Sequence, residues 1–67
     1  MSFSYCINGS TNGNAETVER ALFDINDRVY LHPKAANILM TALADNDAQE
    51  AEISMSDGTH IIIRRNA

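Results

Sequence analysis

The stretch Glu50-Ala51-Glu52-Ile53-Ser54-Met55-Ser56-Asp57-Gly58-Thr59-His60-Ile61-Ile62-Ile63-Arg64 decides the fold. Two strand-like runs flank a turn, and the turn length sets which side chains share a face. A two-residue Asp57-Gly58 turn pairs Met55 with His60 and places Ile61 and Ile63 beside Glu52 and Ser54, which wastes both isoleucines. A three-residue loop, Ser56-Asp57-Gly58, pairs Met55 with Thr59. Ala51, Ile53, Met55, Thr59, Ile61 and Ile63 then share one face, and Glu50, Glu52, Ser54, His60, Ile62 and Arg64 the other. The second register sorts apolar from polar, and glycine supplies the left-handed position that such a loop needs. A slip of one residue would turn every side chain over, so the pattern specifies an antiparallel hairpin. Ile62 is the one large apolar residue on the polar face, and Glu50 and Arg64 form an expected cross-strand pair.

Upstream of the hairpin, Ala35, Ile38, Leu39, Ala42 and Leu43 recur at helical spacing and trace one apolar stripe. Pro33 suits the first helical position, and His32 before it avoids the α region. The spacing predicts a helix over 33–45, ended by Asp45-Asn46-Asp47, with Met40 on its flank as a gap filler or an adaptable contact. Val29-Tyr30-Leu31 reads as a short extended piece and Asn26-Asp27 as a turn. At the N-terminus, Phe3, Tyr5 and Ile7 alternate with Ser4, Cys6 and Asn8, the period of a half-buried strand. Residues 15–25 admit two readings. Ala15, Val18, Ala21, Leu22 and Ile25 fit a helix with Asn14 as its N-cap. Alternatively, an Asn12-Gly13 hairpin turn makes them a second strand, with Ile7 facing Val18 and Phe3 facing Leu22. The fold class is therefore α+β. A small antiparallel sheet, from the N-terminal strand and the C-terminal hairpin, packs on one principal helix, with a second helix or an extra strand (order ββαββ) between them.

The whole chain, 1–67, is read as one small domain. A chain of this size buries only about 60% of its unfolded surface, and a single cysteine, Cys6, cannot staple it. Apolar residues on several faces (Phe23, Tyr30, Met40, Ile62) suggest a homodimer as the source of further stability. Nine acids against five bases give a net charge of −4, and the bases are scattered, which argues against direct nucleic-acid binding. No apolar run approaches the ~20 residues of a membrane span. The N-terminus lacks the basic and apolar regions of a signal peptide, so a cytoplasmic location is expected.

The segment Asn8-Gly9-Ser10-Thr11-Asn12-Gly13-Asn14-Ala15-Glu16 carries the one resemblance to a known site. Gly9-Ser10-Thr11, Gly13-Asn14 and Glu16 make it similar to the phosphate loop of flavodoxins. That family holds the flavin phosphate with hydroxyl and amide side chains and backbone N–H groups at a helix N-terminus. The resemblance implies a phosphate or nucleotide site at Ser10, Thr11, Asn12, Gly13 and Asn14. It spans about fifteen residues. Ala15 stands where the family carries a hydroxyl, and the chain lacks that family's repeated strand–helix units and flavin-stacking loops.

No other pattern carries chemistry. Ser54 and His60 face one another across the hairpin without a third group or a pocket, and no metal-ligand spacing is present. No cofactor is expected, and no catalytic residue is assigned. The acids Asp45, Asp47, Glu50, Glu52 and Asp57 fall together without a base among them, a surface that could dock on a basic partner or mimic nucleic acid. The function expected is a small non-enzymatic protein-interaction module, of the accessory, regulatory or phage-type inhibitor kind. Its candidate contacts are Tyr30, Met40, Ile62, Arg64 and Arg65, and strand addition at an open sheet edge is one contact mode. The alternative is a small phosphate- or nucleotide-binding protein using the 9–14 loop.

Overall fold

A computed structural model describes residues 2–66. The chain runs through strands β1 (Phe3–Ile7) and β2 (Ser10–Ala15) and helices α1 (Val18–Arg28) and α2 (Pro33–Met40). A π turn (Thr41–Asp45) and strands β3 (Glu50–Ser54) and β4 (His60–Arg65) follow. The strands form one sheet in the order β2-β1-β4-β3, and every neighbouring pair is antiparallel. This is the expected α+β class. One face of the sheet carries the core with Phe3, Tyr5, Ile7, Ile61 and Ile63, packed with Val18, Leu22 and Ile25 of α1 and Ala35 and Leu39 of α2. The other face carries Ser4, Cys6, Ile62 and Arg64 and is covered by neither helix. Cys6 therefore lies opposite the aromatics, as the alternation predicts.

The C-terminal hairpin has the predicted register: Ala51 pairs with Ile63, Ile53 with Ile61 and Ser54 with His60. Met55 N–H donates to Thr59 O at 2.8 Å, and Gly58 N–H donates to Met55 O at 2.9 Å, which closes the three-residue loop. Gly58 takes φ +93°, the left-handed value for which glycine is needed. Glu50 and Arg64 meet across the strands at 3.5 Å.

The N-terminal third corrects several expectations. Residues 8–14 are not a loop before a helix. Asn8 (φ 53°) and Gly9 (φ 86°) form the turn, with the two successive positive φ angles of a type I′ hairpin, and Ser10 begins β2 opposite Ile7. Asn8 is held there from the side: its N–H donates to His60 O at 2.8 Å, and its Oδ1 accepts from His60 N–H at 2.9 Å. The Asn12-Gly13 turn and its pairing of Ile7 with Val18 are overturned. Asn12 instead lies at a bulge opposite the Tyr5/Cys6 step, and Gly13 lies opposite Tyr5. The helix reading of 15–25 holds from Val18 onward, and the strand reading, with Phe3 facing Leu22, is overturned because Phe3 pairs with Ala15. An extra strand exists but ends at Ala15, and a helix exists but starts at Val18. Thr17, not Asn14, is the N-cap: its side chain accepts from Arg20 N–H at 3.1 Å.

Asn26-Asp27 is not a turn, because α1 continues to Arg28. Asn26 serves the helix end with its side chain, which accepts from Leu31 N–H at 3.1 Å. The helix predicted over 33–45 is present but changes pitch. After Met40 the ladder widens, and Asn46 N–H donates to Thr41 O at 2.9 Å, a bond across five residues. Leu39 and Leu43 are both fully buried. Asp47 then takes φ 57° and ends the element.

Candidate functional site

Two strands end the sheet, and they differ. β2 is polar, Ser-Thr-Asn-Gly-Asn-Ala, and is broken by the bulge. Its Asn12 side chain folds back to accept from Ile7 N–H at 3.0 Å. Charge, bulges and short length are the usual protections of an exposed edge. β3 pairs with β4 without a register shift. Ile53 and Met55 point to the core side but are only partly covered.

A groove of about 390 Å³ runs between the N-terminal half of α2 and the end of β3, lined by Tyr30, Ala35, Ile38, Ile53, Met55 and Asp57, among others. Tyr30 is 67% exposed and Ile38 52%, large values for such side chains. Local sequence explains the shape. Pro33 starts α2 at its first residue, and the His32 side chain caps it, Nδ1 accepting from Lys34 N–H at 3.0 Å. The chain must therefore approach α2 extended, which carries Tyr30 out over the groove. The Tyr30 and His32 rings meet edge to face at 6.3 Å. Ile38 lies on the stripe predicted for α2, yet it is left exposed in the groove beside the edge strand β3.

The predicted contact residues separate. Tyr30 is at the groove. Met40 is half-buried and packs against the core. Ile62 is half-buried on the uncovered sheet face beside Cys6, as its register requires. A shallow hollow of about 240 Å³ lies there, lined by Ser4, Cys6, Thr11, Ile62, Arg64 and Asn66. Ser4 Oγ sits between the side-chain oxygens of Asn14 (2.8 Å) and Asn66 (2.9 Å). Arg64 is exposed and paired with Glu50. Arg65 is not the free twin of Arg64. It stacks over Phe3 at 4.9 Å, meets Asp47 at 3.4 Å, and donates to the carbonyls of Leu43 and Ala48. It ties the π turn and the following loop to the sheet, so its guanidinium is engaged within the chain.

Ser10, Thr11, Asn12, Gly13 and Asn14 lie in the extended strand β2, and α1 begins only after Glu16 with Thr17 as its N-cap. The ring of helix N–H groups that the flavodoxin-like reading needs is not assembled around them. Ser54 and His60 do face each other, but the nearer partner of His60 is Glu52, whose Oε2 lies 2.6 Å from Nε2. Both are on the open strand surface. Among the described residues no group of three or more His, Cys, Asp or Glu side chains converges on one point. No helix of the described residues is long and apolar enough to cross a membrane. Asp57 sits in the hairpin turn, where its Oδ1 accepts from Thr59 N–H at 2.9 Å. The backbone and side-chain hydrogen bonds of Thr59 hold its carboxyl below the ordinary value of 3.8.

Sequence reasoning named Tyr30 but missed Ile38 and the groove. Ile38 carried the signal of a core residue, and only the strand order reveals that α2 reaches the margin of the sheet. Comparison of the chain with family models, curated proteins and solved structures gives no match.

Proposed function

We propose that this chain is a non-enzymatic protein-interaction module that docks a partner in the groove between α2 and β3. The observation that carries the reading is the apolar groove itself, with exposed Tyr30 and Ile38 set beside an unpaired strand edge. Exposed aromatic and aliphatic side chains in a hollow are the usual anchors of a protein contact. A strand edge adds backbone hydrogen bonds to that anchorage. A regulatory, accessory or inhibitor role follows from such a module occupying a partner's surface, and a homodimer would use the same kinds of contact.

The test compares capture by the native chain with capture by Ile38→Glu and Ile62→Lys, all three checked for folding by amide NMR. A partner kept by Ile62→Lys and lost by Ile38→Glu supports the groove. A partner lost only by Ile62→Lys moves the contact to the uncovered sheet face and overturns the groove reading. Self-association seen by sedimentation and removed by Ile38→Glu would make the second copy the occupant.

A further inference from the structure

The β3–β4 register decides which backbone groups of β3 are free. Met55 bonds Thr59, and Gln49 O accepts from Arg65 N–H. Antiparallel pairs alternate, so Gln49, Ala51, Ile53 and Met55 turn their backbone groups toward β4. Glu50, Glu52 and Ser54 therefore direct their N–H and C=O groups outward, along the free edge of the sheet. A strand laid beside them would alternate its own side chains between two surroundings. One set would enter the groove over Ile38, Ile53 and Met55. The other would lie on the uncovered face beside Glu50 and Glu52, which are exposed.

Taking the docking reading above as given, we propose that the groove receives an extended segment of a partner protein, added as a fifth strand beside β3, in which apolar residues alternate with Lys or Arg. Charge complementarity selects this occupant. The chain from Asp45 to Asp57 carries five acids and no base. Asp47 and Glu50 have arginine partners within the chain, at 3.4 and 3.5 Å, and Glu52 Oε2 lies 2.6 Å from His60 Nε2. Asp57 lines the groove and, among the described residues, forms no ion pair. A second copy fits poorly through this edge. The only charged residues of β3 are Glu50 and Glu52, so self-pairing sets one acidic strand against another with no cation on either. A helical segment would fill the groove but would leave the outward N–H and C=O groups unused.

The experiment titrates the isotopically labelled full chain with three capped probe peptides. One alternates Lys with Val and Ile, one carries Glu in place of each Lys, and one is a Lys/Leu amphipathic helix former. The expected result is that the Lys/Val/Ile peptide shifts Ile38 and slows amide exchange at Glu50, Glu52 and Ser54. It should bind about tenfold more tightly than its Glu counterpart at low salt. The double variant Glu50→Lys/Glu52→Lys, with both sites exposed, should reverse that order. Equal binding of the Lys and Glu peptides overturns the inference, as does no slowing of the three edge amides at millimolar peptide. If the helix former alone shifts Tyr30 and Ile38, the added strand is wrong while docking in the groove stands. Loss of the docking reading itself would instead appear as a partner indifferent to Ile38→Glu.

Discussion

Gly13 lies against the ring of Tyr5, and a Cβ built on it would come within 2.8 Å of Tyr5 Oη and 3.1 Å of Cζ. The ring has little room to retreat. It is almost fully buried, its hydroxyl donates to Asp24 at 3.3 Å, and the Arg28 guanidinium sits over it at 5.5 Å. Gly13→Ala should therefore destabilise the chain by about 1–3 kcal/mol in urea unfolding. The cost should be smaller in a Tyr5→Phe background, where the nearest atom is gone. Additive effects would mean that the ring is not the obstacle. The sequence holds two Asn-Gly pairs, and dipeptide preference cannot choose between them. Packing chooses: a turn at Asn8-Gly9 sets Phe3 and Tyr5 opposite the small residues Ala15 and Gly13, where the helices need space. Arg64 and Arg65 are likewise neighbours of equal appearance. Strand alternation sends Arg64 to solvent and Arg65 over Phe3. Arg65→Ala should cost about 1–3 kcal/mol through lost bonds to Leu43 O and Ala48 O. Arg64→Ala removes only an exposed pair, worth about 0–1 kcal/mol. Equal unfolding midpoints for the two variants would contradict this.

The elements divide by how much local information specifies them. The C-terminal hairpin was legible because its two faces differ in polarity and its glycine has one workable place. Asp57 completes that turn by accepting from Thr59 N–H at 2.9 Å. Its folded carboxyl titrates below the ordinary value, so its contribution is present above 3.8 and is lost as pH falls through the lower folded value. The Thr59 amide shift, followed against pH, should report a midpoint under 3.8. A midpoint at or above that value would remove the carboxylate from the turn. The 33–45 helix was legible as an apolar stripe, but its change of pitch after Met40 was not. A stripe cannot distinguish bonds across four residues from bonds across five, because both keep Leu39 and Leu43 inward. β2 was hidden for the opposite reason. Five of its six residues are turn formers by composition, and it is a strand because β1 and the I′ turn hold it there.

For the molecule as a whole, a domain of this size has roughly 3–10 kcal/mol of stability. Leu39 is fully buried between α2 and the sheet, and Leu39→Ala should cost about 2–5 kcal/mol. Thermal unfolding followed by circular dichroism should register a large drop in Tm or a chain unfolded at room temperature. A shift of only a degree or two would mean that the site collapses around the smaller side chain. The candidate groove was legible only in part, since Tyr30 looked unburied in the sequence while Ile38 looked like core. Its definition needed the strand order, which no local pattern carries. That order has a further effect, on how the chain comes into being. β1 and β4 are the elements most distant in sequence, yet they are neighbours at the centre of the sheet, Phe3 beside Arg65 and Ile7 beside Ile61. Closing that central pair brings together segments separated by both helices and the C-terminal turn, so its loop-closure entropy must be met before the sheet is complete. Seating β4 beside β1 is therefore the slow step expected of folding, and a helical chain of equal length should fold faster.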